Sequence, residues 1–354
     1  MTSAEGKHTT GTGRPTSRDV ARLAGVSHTA VSFVFNGRAE GNLSPATQER
    51  IRLAAAQLGY RPDPVARGLR RRRTAVIGLV TDEIASSPFA GRLLRGAMET
   101  AWASEHLVLT IDSGGDPAKE DAAVAELLDR RVDGIIYAAM SLRRVRVPEG
   151  LHRTHSVLAN CLPEDGSLSA VVPAERAGGR TAARLLLDHG HRRIAYIGGL
   201  DDIAFVERLG GFRDALRAEG ITVPKKWVVR TGGEIAGGYD GAMRLLDGAE
   251  PARRPTAVFC YNDRVAAGVL HAATRLGVAV PAELSVIGYD DQEHMAAFLT
   301  PSLTTVALPH RGMGESATRL LLDAITTGRT PPAAVRRLAC PVVTRSSVGP
   351  VPTG

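Results

Sequence analysis

The sequence predicts an N-terminal all-α helix-turn-helix module, residues 16–61, followed by a much larger α/β domain of doubly wound parallel sheets, residues 74–346. Three observations lead there. Residues 16–60 carry three helix signatures separated by Gly, Ser and Pro. From Thr74 onward, short apolar runs alternate with helical stretches. Charge divides at the same place: residues 1–73 hold thirteen Lys/Arg against five Asp/Glu, leaving 31 against 32 for the rest of the 354-residue chain.

Thr16 followed by Asp19 is a capping-box pattern that supplies acceptors for the free N–H groups of a starting helix. Val20, Leu23 and Ala24 then recur at helical spacing, and Gly25 suits a left-handed helix end. Ser27 restarts the chain as a second N-cap, with Ala30, Val31, Val34 and Phe35 as an apolar face. Two short helices with a Gly in a tight turn form a helix-turn-helix. The outward face of the second helix is His28, Thr29, Ser32, Phe33 and Asn36. Ser44-Pro45 opens a third helix, lined by Ile51, Ala54, Ala55 and Leu58 and closed by Gly59. The first fifteen residues are polar and predict a disordered tail. Residues 62–73 form a linker in which 65–69 can make one more helical turn.

In the large domain AVIGLV, LVLTID, VDGIIYAAM, SVLANC, AVV, RIAYIGG, WVVR, TAVFC and LSVIGYD read as strands. Helices are expected near 89–104, 119–131, 175–189, 205–219, 237–246 and 263–276. Strands this apolar are buried on both faces, and the helices between them give parallel βαβ units. One sheet would need some ten strands, so two halves are expected. Ligands of open α/β sheets sit beyond the carboxyl ends of strands, which points to a cleft between the halves.

A basic excess confined to the small module is the electrostatic footprint of a nucleic-acid binder. Neither a leader segment nor an apolar run of membrane-spanning length is evident, so a cytoplasmic protein is expected. Cys161, Cys260 and Cys340 are far apart and read as buried small apolar residues, not disulfides or zinc ligands. His189-Gly190-His191 reads as a helix terminus and not as a metal site. The sequence lacks GxxxxGK[ST], HExxH and GxSxG, so no enzyme, cofactor or metal is expected.

DVARLAGVSHTAVS, Asn36-Gly37, LSPATQERI, LGYRPDPVARGL, IGYDD and TPSLTTV, in this order, resemble the lactose/galactose repressor family of bacterial transcription regulators. The resemblance runs from Thr16 to about Ser346. It implies a type I periplasmic-binding-protein-like domain of two lobes, about 74–172 plus 302–330 and 173–300 plus 332–346, with crossings near 172, 301 and 331. It also implies a homodimer that binds a pseudo-palindromic double-stranded DNA operator, most simply as a repressor, under control of a small-molecule effector. The resemblance favours a sugar or sugar derivative as the effector, with nucleosides and purines as the alternatives. Residues 347–354 are expected to be a tail.

Aligned on AGVS, the family's base-reading positions fall on His28, Thr29 and Phe33. Thr16, Ser27, Ser32, Asn36, Ser44, Thr47 and Tyr60 match positions used mainly on the DNA backbone. Phe33 departs from the Arg of most relatives and predicts an unusual half-site. Gly37–Leu43 is about two residues longer than usual. The stretch holding Arg67 and Leu69 resembles the hinge helix, with Leu69 as the residue wedged into the minor groove. For the effector, Arg208 and Asp290 match gripping positions. Ser87 and Phe89 follow the first strand, Phe259 and Asn262 end a strand on the other lobe, and the two Phe rings are expected to stack on the ligand. The competing expectation is a cytoplasmic ligand-binding protein or enzyme of the two-lobed fold whose basic module binds nucleic acid only non-specifically.

Overall fold

A computed structural model describes residues 15–60, 73–83, 90–250 and 252–352. The chain divides into two compact units, Met1–Thr74 and Ala75–Gly354.

In the first unit, α1 (Ser17–Ala24), α2 (His28–Phe35) and α3 (Pro45–Leu58) share one small core. Thr16 and Asp19 close a capping box, Ser27 caps α2 through Ala30 N–H, and Ser44 caps α3 through Thr47 N–H. Gly25 and Gly59 end α1 and α3 at φ 62° and 64°, a region L side chains avoid. Val20, Ala21, Ala24, Val31, Ile51 and Ala54 fill the centre, with Val34, Phe35, Leu58 and Tyr60 packed around it. Leu23 is a correction to the expected face: it is about half exposed, and Ala21 takes the inward position.

The second unit holds two six-stranded sheets. In chain order the elements are β1 (Val76–Thr81), α4 (Ala90–Ala103), β2 (Leu107–Asp112), α5 (Pro117–Asp129), β3 (Gly134–Val145), β4 (Ser156–Pro163), β5 (Ala170–Pro173) and α6 (Glu175–Asp188). These are followed by β6 (Ile194–Ile197), α7 (Ile203–Ala218), β7 (Val228–Val229), α8 (Ile235–Leu246), β8 (Ala257–Cys260), α9 (Asp263–Leu276) and β9 (Ser285–Asp290). The last four are β10 (Thr304–Ala307), α10 (His310–Thr327), β11 (Val335–Leu338) and β12 (Val342–Val343). The first lobe's sheet runs β11-β5-β4-β3-β1-β2 and the second's β12-β10-β9-β8-β6-β7. All pairings are parallel except β10–β12. Each sheet is covered on both faces, with a separate buried cluster on each side, as its unbroken apolar strands require.

The lobe boundaries differ from expectation at two crossings. β10 pairs with β9, Thr304 opposite Ile287, so residues 304–307 belong to the second lobe. β11 pairs with β5, Val335 opposite Ala170, so residues 335–338 belong to the first. The first crossing lies at 174, in line with the expected position near 172, and the other two lie at 308–309 and 339–341 rather than near 301 and 331. Val335-Arg336-Arg337-Leu338 is an exposed edge strand with two Arg, so it lacks the apolar run that marks the central strands. The expected tail at 347–354 is also corrected. Ser347 is fully buried and its hydroxyl donates to Val286 C=O at 2.6 Å, while Val351 N–H donates to His189 C=O at 2.9 Å. His189 ends α6, and His191 is buried against Thr256, Ser285 and the Gly349 carbonyl, each at 3.0 Å.

Candidate functional site

The first candidate site is the face of α2. Ser27, His28 and Thr29 are exposed at its start, and Ser32, Phe33 and Asn36 are half-buried further along. His28 Nε2 lies 2.9 Å from Ser17 Oγ, which ties the start of α2 to the start of α1. The Asn36 amide turns back onto its own helix, donating to Ser32 C=O at 2.7 Å and to Ser32 Oγ at 2.9 Å. Phe33 lies outside the core cluster that takes Val34 and Phe35, so burial in the module does not account for an aromatic ring at this position. Thr16, Ser44 and Thr47 stand at the first turns of α1 and α3, where free backbone N–H groups suit phosphate oxygens. Tyr60 meets Phe35 edge-on, ring centroids 5.6 Å apart. Arg67 and Leu69 lie outside the described residues.

The second is the interlobe cleft, about 820 Å³. α6 and α7 approach so closely that a Cβ on Gly179 would overlap the Arg208 carbonyl, and one on Gly211 the Arg176 carbonyl. That approach sets Arg208, on α7, against Glu175, the first residue of α6. The guanidinium is held at both ends: Nε and Nη2 donate to Glu175 at 2.8 and 2.9 Å, and Nη1 donates to Tyr261 C=O at 2.7 Å. Asp290 lies 3.4 Å away, and the Tyr289 ring faces the guanidinium at 3.8 Å. Burial opposes Arg208's charge, but the Glu175 and Asp290 carboxylates outweigh it and keep the guanidinium charged. Burial pushes the Asp290 carboxyl well above the carboxylate range, and Arg208 offsets only part of that rise. Asp290 also has φ 109°, a left-handed backbone that is costly outside glycine.

The opposite wall repeats the pattern. Arg143 Nη2 donates to Asp82 at 3.1 Å and lies 3.9 Å from Glu120. The Asp82 carboxylate also accepts from Met140 N–H at 2.9 Å. Tyr261 donates to Asp202 at 2.6 Å, and Tyr137 neighbours Glu120, whose carboxylate adds to the rise of its phenol. Burial raises both phenols, so they stay protonated donors. His310, at the second crossing, is neutral: burial, then Arg92 and Arg208, lower it to about 4.

Arg208, Asp290 and Asn262 therefore meet in one cleft as expected, although the Asn262 side chain is already committed. It caps α9 through Val265 N–H and donates to Gly233 C=O at 2.9 Å. Phe259 does not line the cleft. It is fully buried among Tyr196, Phe212 and Tyr289, because its side chain points from β8 into the sheet–helix core. Ser87 and Phe89 lie outside the described residues. Sequence reasoning missed Glu175, read there only as a helix start. It also missed the Asp82–Arg143–Glu120 group, and Asn160, a buried lining residue at φ 58° whose amide donates to Ala139 C=O. The usable signal for two of them was position: Asp82 and Glu175 stand just beyond the ends of β1 and β5, whereas Asn160 lies within β4.

A helix-turn-helix module and a two-lobed domain on one chain define a DNA-binding transcriptional regulator with an effector-binding domain. Comparison places it more narrowly. Residues 16–63 match the family described as bacterial regulatory proteins, lacI family, and residues 183–348 match a periplasmic binding protein-like domain. Over 314 residues the chain is 33% identical to the HTH-type transcriptional repressor PurR of Vibrio atlanticus (strain LGP32), spanning 88% of this chain and 92% of that one. The ribose operon repressor of Escherichia coli (strain K12) is 33% identical over 314 residues, spanning 88% and 93%. Among solved structures, the Lac repressor dimer bound to operator and the anti-inducer ONPF has a TM-score of 0.76 at 25% identity, covering 95% of this chain and 100% of that one. The transcriptional regulator CelR in complex with cellobiose has a TM-score of 0.65 at 30% identity, covering 94% and 100%. The chain belongs to the lacI family of bacterial regulatory proteins and is a transcriptional repressor, not an enzyme.

Proposed function

We propose that this repressor acts in the cytoplasm as a homodimer on a pseudo-palindromic operator, and that a neutral polyhydroxylated molecule, a sugar or sugar derivative, sets its affinity from the interlobe cleft. The observation that carries the effector class is the cleft lining: seven carboxyl groups, four guanidiniums, two protonated phenols and a neutral imidazole among the described residues. Hydroxyl groups both donate and accept, so they suit such a lining. A phosphate or carboxylate effector would meet guanidiniums already committed to carboxylates, and like charge nearby costs affinity. Effector binding acts on DNA as a coupling free energy, by changing the lobe arrangement and so the cost of docking two helix-turn-helix modules. Arg67 and Leu69 would complete that docking at the operator centre.

Calorimetric titration of the full-length protein with neutral sugars and their phosphate esters tests the effector class. A neutral sugar should bind and its phosphate ester should not; tighter binding of the ester would sink this reading. The operator is tested by selection from a random duplex library at fixed moderate salt. A pseudo-palindrome should be recovered, and Phe33→Arg should shift its preferred bases while changing stability by less than about 0.5 kcal/mol, as for a residue outside the core. An identical selected site for the variant would show that Phe33 does not read DNA.

A further inference from the structure

The loop after Asp290 joins the two lobes. Asp290, Asp291 and His294 all have positive φ, at 109°, 49° and 62°. Such a run persists only where the surroundings over-determine it. On the second lobe three anchors hold it: Arg345 donates to Asp291 at 2.7 Å, Gln292 N–H donates to Asp263 at 2.7 Å, and Asp291 N–H donates to Thr305 Oγ1 at 3.4 Å. On the first lobe the ionic anchor is Arg92, in the first turn of α4. Its Nε lies 3.3 Å from Glu293 and its Nη1 3.9 Å from Asp291. Among the described residues these are the only ion pairs that join the lobes.

We infer that Arg92 is a positioning residue. It latches the lobes through the 290–294 loop, so that the backbone presenting Asp290 to the cleft and the closure of the two lobes are set by one segment. Asp290 is fixed from behind by the pull on Asp291 and Glu293, and Arg92 supplies that pull only when the lobes are together. Opening the lobes breaks the latch and releases the strained segment, and reshaping that segment around a bound molecule loosens the latch. The two events are thereby linked in both directions, as a coupling must be. The latch is partly exposed, which keeps it weak enough to exchange. The effector side of this inference rests on the cleft reading above; the latch itself does not.

The test uses full-length Arg92→Gln, Glu293→Gln, their double variant and the charge-reversed pair Arg92→Glu with Glu293→Arg. Hydrogen exchange is followed in the absence of added ligand over residues 290–296 and the crossing at 308–310. Each single neutralisation should speed exchange there about two- to fivefold, the range expected for a partly exposed ion pair. The double variant should go no further than either single, and the reversed pair should return most of the protection. Unchanged exchange in Arg92→Gln, or additive effects in the double variant, would overturn the latch. Operator affinity of the same proteins gives the second readout: the single variants should shift half-saturation by a similar factor. Altered exchange with unaltered operator affinity would keep the tie but remove its regulatory role. Loss of operator binding in every form, the unmodified protein included, would instead refute the repressor reading.

Discussion

The two walls of the cleft are built from the same chemistry and differ in burial. On the second lobe Glu175 and Asp290 flank Arg208, whose side chain is 4% exposed. On the first, Asp82 and Glu120 flank Arg143, which is 38% exposed. Arg208 is locked by a bidentate pair, a backbone carbonyl and an aromatic face, whereas Arg143 makes one bond at 3.1 Å and one looser approach. Burial converts the same three groups from an adaptable pair into a rigid one. The second wall is therefore rigid, and the first is the more adaptable of the two.

The largest expected effect separates the walls directly. Arg208→Leu leaves the buried Glu175 carboxylate without its bidentate partner, which costs about 3–5 kcal/mol. Arg143→Leu should cost about 1 kcal/mol or less, because its charge is screened by solvent. Denaturant midpoints of the two variants check this; equal losses would erase the distinction. Any lost effector response in Arg208→Leu must accordingly be measured below its unfolding transition.

The next effect concerns the ground behind the rigid wall. Asp263 is fully buried, accepts from Thr305 Oγ1 and Gln292 N–H, and is pushed up by burial from 3.8 to about 6, against those two hydrogen bonds. A carboxyl raised in the folded state favours folding when protonated. Its contribution is full below pH 3.8 and is lost as pH rises towards about 6. Across that window Asp263 alone should cost roughly 3 kcal/mol. Asp263→Asn should flatten the stability profile between pH 4 and 6, and an unchanged slope would assign the dependence to other groups.

The contrast between the walls was legible only in part. Arg208 and Asp290 were readable because they sit in RLGGF and IGYDD, motifs with a recognisable position in the family. The alternation of apolar runs and helical stretches was readable because strands buried on both faces must be apolar throughout. Glu175 was not, since an acid at a helix start is ordinarily a favourable partner for the helix dipole, and only the close packing of α6 on α7 turns it inward. The same limit explains Phe259. Strand alternation says that it faces one side of the sheet, but not that this side is the aromatic core and not the cleft. β11 escaped because an exposed edge strand has no apolar signature, and β10 was misplaced because pairing partners are not written in local sequence.

The smallest effects come from the two phenols, one on each wall. Tyr137 and Tyr261 are both buried, and each faces a carboxylate of its own lobe: Tyr261 donates to Asp202, and Tyr137 neighbours Glu120, which raises its phenol. Removing one hydroxyl from a bond to a charged group should cost about 1.5–3 kcal/mol if the carboxylate stays buried, and less if water replaces the phenol. Asp202 caps α7 through Phe205 N–H at 2.7 Å, so it keeps a protein partner when Tyr261 is lost. Among the described residues the cation near Glu120 is Arg143, 3.9 Å away, so a movable guanidinium must compensate. Tyr261→Phe should therefore be the milder change in stability. Tyr137→Phe should be the one whose cost falls when an effector closes the cleft on Arg143. Thermal denaturation of both variants with and without a bound sugar measures this. A ligand-dependent change in Tyr261→Phe alone would place the adaptable wall on the second lobe instead of the first.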